Sequence, residues 1–128
     1  MNAVKIGYWV STGLFAFALG SGGVMHLIVE PTMAENMSHV GHSEVFMRII
    51  GTWKVLGVLA LLAPGLPKLK EWAYAGFTFL LTGATATHLA YGDPLAESLM
   101  PLFLLGVAAI SYALRPEGRR LTGKPPGA

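Results

Sequence analysis

The run Ile6-Gly-Tyr-Trp-Val-Ser-Thr-Gly-Leu-Phe-Ala-Phe-Ala-Leu-Gly-Ser-Gly-Gly-Val-Met-His-Leu-Ile-Val29 contains no lysine, arginine, aspartate or glutamate, and Glu30-Pro31 closes it. A helix needs about 20 apolar residues to cross the hydrocarbon core of a bilayer. The run is too long for a signal-peptide core, and no small-residue cleavage site follows it, so it reads as a retained membrane helix. Three further segments resemble it. Val45 to Leu62 is closed by Pro64-Gly65-Leu66-Pro67, Trp72 to Ala90 precedes Gly92-Asp93-Pro94, and Leu99 to Leu114 ends at Arg115-Pro116. Pro101 falls near the start of the last segment, where a helix tolerates proline. The expectation is an all-α integral membrane four-helix bundle over residues 1–115, with spans at about 6–29, 45–62, 72–90 and 99–114. Residues 116–128 read as a basic cytoplasmic tail, disordered or lying on anionic headgroups.

Composition supports lipid as the solvent. The chain is 53% hydrophobic and only 12% charged, about half the charge of an ordinary soluble domain. A formal charge of +2 with scattered basic residues excludes nucleic-acid binding. With no cysteine, there is no disulfide, thiol nucleophile, CxxC pair, or cysteine-held zinc or iron–sulfur cluster.

Lys5, Lys68, Lys70, Arg115, Arg119, Arg120 and Lys124 fall in the N-terminus, the second loop and the tail, while Glu30, Glu35, Glu44, Asp93 and Glu97 fall in the first and third loops. Four crossings would put the first set on one side, which the positive-inside pattern makes cytoplasmic, both termini included.

The halves of the chain resemble each other. Gly13, Gly20 and His26-Leu-Ile-Val-Glu30-Pro31 in the first span correspond to Gly76, Gly83 and His88-Leu-Ala-Tyr-Gly-Asp93-Pro94 in the third. Leu56-Gly57-Val58 likewise corresponds to Leu105-Gly106-Val107. Both members of each pair run the same way through the membrane, which predicts two parallel repeats of a helical hairpin. Two features lack a counterpart: the longer first loop with His39 and His42, and Lys54, which falls opposite Phe103.

These polar groups define the candidate site. Lys54 lies nine residues below Val45, on the order of 13 Å into the membrane, where a charge is costly and needs an interior partner. It reads as a ligand anchor or a proton carrier, or else as a structural partner, with Glu30 or loosened backbone carbonyls as its mate. Gly22-Gly23 and Thr85 share its depth, and Trp53 adjoins it. Gly22, Gly23, Lys54, Trp53 and Thr85 are therefore the candidate cofactor-binding set, in an outward-facing polar funnel. Small-x3-small spacing at Ala16/Gly20 and Ala18/Gly22 also suits close helix packing. His26 and His88, each followed by an acid, Glu30 or Asp93, are the candidate proton-handling groups; capping of helix ends is the simpler alternative. His39 and His42 either cover the funnel or are solvated. No metal set is assigned.

The stretches Gly51-Thr-Trp-Lys54-Val-Leu-Gly57, Pro64, Lys70-Glu-Trp-Ala-Tyr-Ala-Gly76-Phe, Gly83-Ala, His88-Leu and Gly92-Asp93 resemble the DoxX-like family of small membrane proteins. The resemblance runs from about Ile6 to Arg115. It implies a four-helix membrane bundle in a bacterial cytoplasmic membrane. It also implies proximity to quinone chemistry, since the family's namesake is a subunit of a thiosulfate–quinone oxidoreductase. The leading expectation is a subunit or small enzyme binding a lipophilic ligand, with quinone as cofactor. A non-catalytic assembly protein and a small oligomeric proton-coupled transporter are the alternatives, with a homo-oligomer or a larger membrane complex as partner.

Overall fold

Caps written into the sequence set the helix bounds. The computed structural model describes residues 2–121. The helices are α1 (Ala3–Leu27), α2 (Pro31–His39), α3 (Glu44–Leu62), α4 (Pro67–Ala90) and α5 (Leu95–Ala113), followed by a 3₁₀ turn at Glu117–Arg119. No strand occurs among the described residues. The Asn2 side chain accepts from Lys5 N at 2.8 Å to start α1, and Ser43 accepts from Phe46 N at 3.1 Å to start α3, both ordinary N-caps.

α1 and α4 end in the same turn. After α1, Val29 N donates to His26 O (3.3 Å) and Glu30 N to Met25 O (2.9 Å); after α4, Gly92 N donates to Leu89 O (3.1 Å) and Asp93 N to His88 O (3.0 Å). Each is a Schellman motif, with the residue at its centre left-handed. That residue is Gly92 (φ 71) in one turn and Val29 (φ 53) in the other. The turn ends α1 two residues before the predicted Val29. Pro67, at the first position of α4, starts that helix five residues earlier than predicted. α5 also begins earlier, so Pro101 is an interior residue rather than a first-turn one. Its missing N–H leaves the Glu97 carbonyl without a helical partner.

The four long helices pack in the cyclic order α1, α3, α4, α5, and α2 lies against α1 and α3. Only α1, α3 and α5 are long and apolar enough by composition to cross a membrane. α4 is as long, but it carries four threonines and begins Pro67-Lys-Leu-Lys-Glu71. The surface is apolar: Phe17, Val45, Trp53, Phe79 and Phe103 are each at least two-thirds exposed. The interior mixes an apolar cluster around Phe15, Leu19, Leu61, Phe77 and Leu81 with a polar chain. In that chain Thr12 Oγ1 meets Ser111 Oγ at 2.6 Å, and Ser111 Oγ meets Tyr74 Oη at 2.7 Å. Greasy outside and hydrogen-bonded inside is the arrangement a lipid solvent requires.

At the opposite end from α2, basic side chains close the helices. Buried Lys70 donates to Ala60 O at 2.8 Å and also to Ala63 O. Arg119 donates to Leu61 O at 2.9 Å and lies 4.7 Å from the Trp9 ring. These cations satisfy carbonyls that the end of α3 leaves open. The tail, expected from residue 116 to be disordered or to lie on headgroups, is packed back as far as Arg119. Residues 122–128, Lys124 among them, lie outside the described residues.

Candidate functional site

α1 and α3 cross where two glycines face each other. A Cβ on Gly51 would lie 2.7 Å from Gly23 O and 2.9 Å from Leu27 N, and one on Gly23 would lie 2.9 Å from Lys54 Cβ. No side chain fits at either position without moving a backbone. The close approach sets Lys54 Nζ 3.3 Å from Nδ1 of buried His26. A charged lysine has donors only, so Nδ1 accepts, and the histidine's proton is then on Nε2.

This pair faces a cavity of about 890 Å³ bordered by all five helices, within the usual size range of small-molecule sites, roughly 300–1,000 Å³. Leu19, Ile50, Phe79, Leu80 and Leu104 give it apolar walls, and Gly22 and Lys54 line it as well. A Cβ on Gly22 would have Lys54 Nζ as its nearest neighbour, at 4.0 Å. α2 and the turn after it contribute Met33, Asn36, Met37, His39 and His42, and the start of α5 contributes Glu97.

Near the loops, three side chains join the two halves. Asp93 Oδ2 meets His88 Nδ1 at 2.6 Å, and Asp93 Oδ1 meets His39 Nε2 at 2.7 Å. A carboxylate only accepts, so both imidazoles donate to it. The hydrogen bond from His88, and after it the one from His39, holds the Asp93 carboxyl below its ordinary 3.8. His39 also lies beside the Tyr91 ring, with centroids 6.2 Å apart. Backbone contacts do not tie α2 to α4 or α5; side chains on either side of the Asp93 pair make that connection.

The sequence-derived candidates therefore separate. Lys54, His26, His88, Asp93 and Gly22 share the cavity lining. Glu30 does not line it. Its carboxylate accepts from Met33 N at 2.9 Å and caps α2, and the backbone N–H groups of Met33 and Thr32 hold its pKa below the usual value. The mate of Lys54 is His26 and not Glu30. Gly23 is spent on the helix crossing. Trp53 points outward, 67% exposed. Thr85 is buried with Oγ1 unpartnered and lies off the cavity lining. Helix α2 was read as loop, although Glu30-Pro31, an acceptor followed by proline at the first helical position, is a helix-start signal. His39 gains its place through that helix. No group of three or more metal-ligating side chains is arranged for a metal among the described residues.

Comparison with curated proteins and with solved structures returns no match. The sequence profile of the DoxX-like family matches residues 10–111, which takes in most of α1 through most of α5 and every residue of the Lys54 cavity, and the chain belongs to that family of membrane proteins.

Proposed function

We propose that the protein crosses the bilayer with α1, α3, α4 and α5, both termini on the cytoplasmic side, and binds a lipophilic ligand, a quinone head foremost, in the Lys54 cavity. The composition of α4 is no obstacle. Its Thr78, Thr82 and Thr87 hydroxyls donate to the carbonyls of Tyr74, Thr78 and Gly83 one turn back, so they need no water. The paired helix ends, with their common turn, support a duplicated hairpin. The separation of basic from acidic loops supports the orientation.

One observation carries the ligand reading: a mid-helix lysine, partnered among the described residues by a histidine alone, in the lining of a large apolar cavity. An ammonium in that setting is a donor seeking an oxygen acceptor. A quinone carbonyl supplies one, and the ring and tail suit the walls. Reduction of a quinone to a quinol takes two electrons and two protons. The electrons would come from a redox partner protein, and this chain's part is to hold the head at Lys54 and handle protons through His26, His88 and Asp93. The test is equilibrium binding of decylubiquinone to the detergent-solubilised protein. Binding at least tenfold weaker in a folded Lys54→Met protein is expected; equal binding would overturn the assignment.

A further inference from the structure

The charge that Lys54 brings to the cavity is uncompensated. Among the described residues no carboxylate lies within ion-pair distance of Lys54. Its polar neighbour, His26, is an acceptor without charge. Two acids border the cavity, and neither serves. Asp93 has both oxygens taken by imidazoles. Glu97, in the first turn of α5, makes no ion pair with Lys54. A cation among apolar side chains is unfavourable until an anion reaches it. The ligand is the group left to bring one.

We infer that the cavity selects lipophilic ligands by the charge of the head. An anionic oxygen acid, of which the carboxylate of a single-chain amphiphile is the simplest, is preferred over a neutral head on the same chain, and the carboxylate sits on Lys54 Nζ. The inference rests on the reading that this cavity holds a lipophilic ligand, and it ranks heads within that class. A neutral quinone accepts a hydrogen bond from Lys54 but leaves its charge standing. A carboxylate does both jobs, with a charge-assisted bond about twice as strong as a neutral one. Leu19, Leu80 and Leu104 would pack the first part of the chain, and exposed Phe79 and Met100 would let the remainder run into lipid.

The experiment compares dodecanoate, dodecanol and dodecylamine as competitors for decylubiquinone on the detergent-solubilised full chain at neutral pH. Dodecanoate is expected to bind at least tenfold tighter than dodecanol, with the amine weakest. In Lys54→Gln the carboxylate and the alcohol are expected to converge; Lys54→Arg, which keeps the charge, is expected to keep the preference. Dodecanol or dodecylamine binding as tightly as dodecanoate to the wild-type protein, a comparison that needs no variant, overturns the inference while leaving the cavity reading intact. A carboxylate preference that survives Lys54→Gln overturns the assignment to Lys54. If neither decylubiquinone nor any of the three amphiphiles binds, the cavity reading falls and takes this inference with it.

Discussion

Adding one methyl group at Gly51 tests the central geometry. The new Cβ would stand 2.7 Å from Gly23 O, 2.8 Å from His26 Cβ and 2.9 Å from Leu27 N, against the 3.4 Å at which ordinary contact begins. Two of these neighbours are backbone atoms and cannot rotate away, so α1 and α3 must part by about 0.7 Å. Overpacking of this kind costs about 1–3 kcal/mol. The same separation carries Lys54 Nζ and His26 Nδ1, now 3.3 Å apart, towards about 4 Å, beyond hydrogen-bond length. Gly51→Ala is therefore expected to lower unfolding free energy in detergent by that amount and to weaken decylubiquinone binding at the same time. Gly76→Ala is the internal control, because nothing lies within 4 Å of its Cβ. It is expected to stay within about 0.5 kcal/mol of wild type. Equal stability of the two variants, by reversible denaturation followed by circular dichroism, would refute the crossing geometry.

Other outcomes follow from the turns and the helix ends. Gly92→Val is expected to cost about 1–2 kcal/mol, since it puts a β-branched residue into the left-handed region, whereas Val29→Gly, the same position of the partner turn, is expected not to destabilise; the same denaturation assay checks both. Arg119→Ala removes the donor to Leu61 O and is expected to cost about 1–2 kcal/mol, with Arg119→Lys recovering part of it. Asp93→Asn is expected to loosen α2, read as increased mobility of a spin label at Asn36. The Asp93 carboxyl is held below 3.8, so its contribution to holding α2 is complete above its unfolded value and fades as pH falls through the depressed one. In the wild-type protein the part of the label's mobility that depends on Asp93 should therefore stay flat from neutrality to about pH 4 and rise only in stronger acid; a rise between pH 6 and 5 that Asp93→Asn abolishes would contradict this.

Much of the fold was legible because the membrane simplifies the code. The uncharged run from Ile6, the breaks at Pro64-Gly65-Leu66-Pro67 and Gly92-Asp93-Pro94, and the sorting of charge all report directly on long helices and their ends. The site was legible to the extent that polarity in an apolar segment is conspicuous. Lys54 and His26 stood out for that reason, and they meet. What the sequence could not disclose is which neighbour a side chain chooses. Glu30 and Asp93 occupy equivalent places after their helices, yet Glu30 is itself the N-cap of α2, whereas Pro94 takes that place before α5 and Asp93 binds two histidines. Gly22 and Gly23 are adjacent in the chain, but the helix turns one to the cavity and the other to Gly51. Position alone places Lys70 and Arg119 on one side of the membrane; it does not disclose that the carbonyls at the end of α3 take up both side chains.

The matching turns after α1 and α4 have one further consequence. Counted from the turn, the two histidines are not equivalent: His88 occupies the place of Met25, and His26 the place of Leu89. A shift of one position on a helix swings a side chain by about 100°. One imidazole is thereby aimed across the α1–α3 seam at a base, and the other back over its own turn at an acid. The two turns share their backbone hydrogen bonds, and the side chains before them differ. Two helix ends built on one turn thus acquire a basic pole and an acidic pole, and with them a direction.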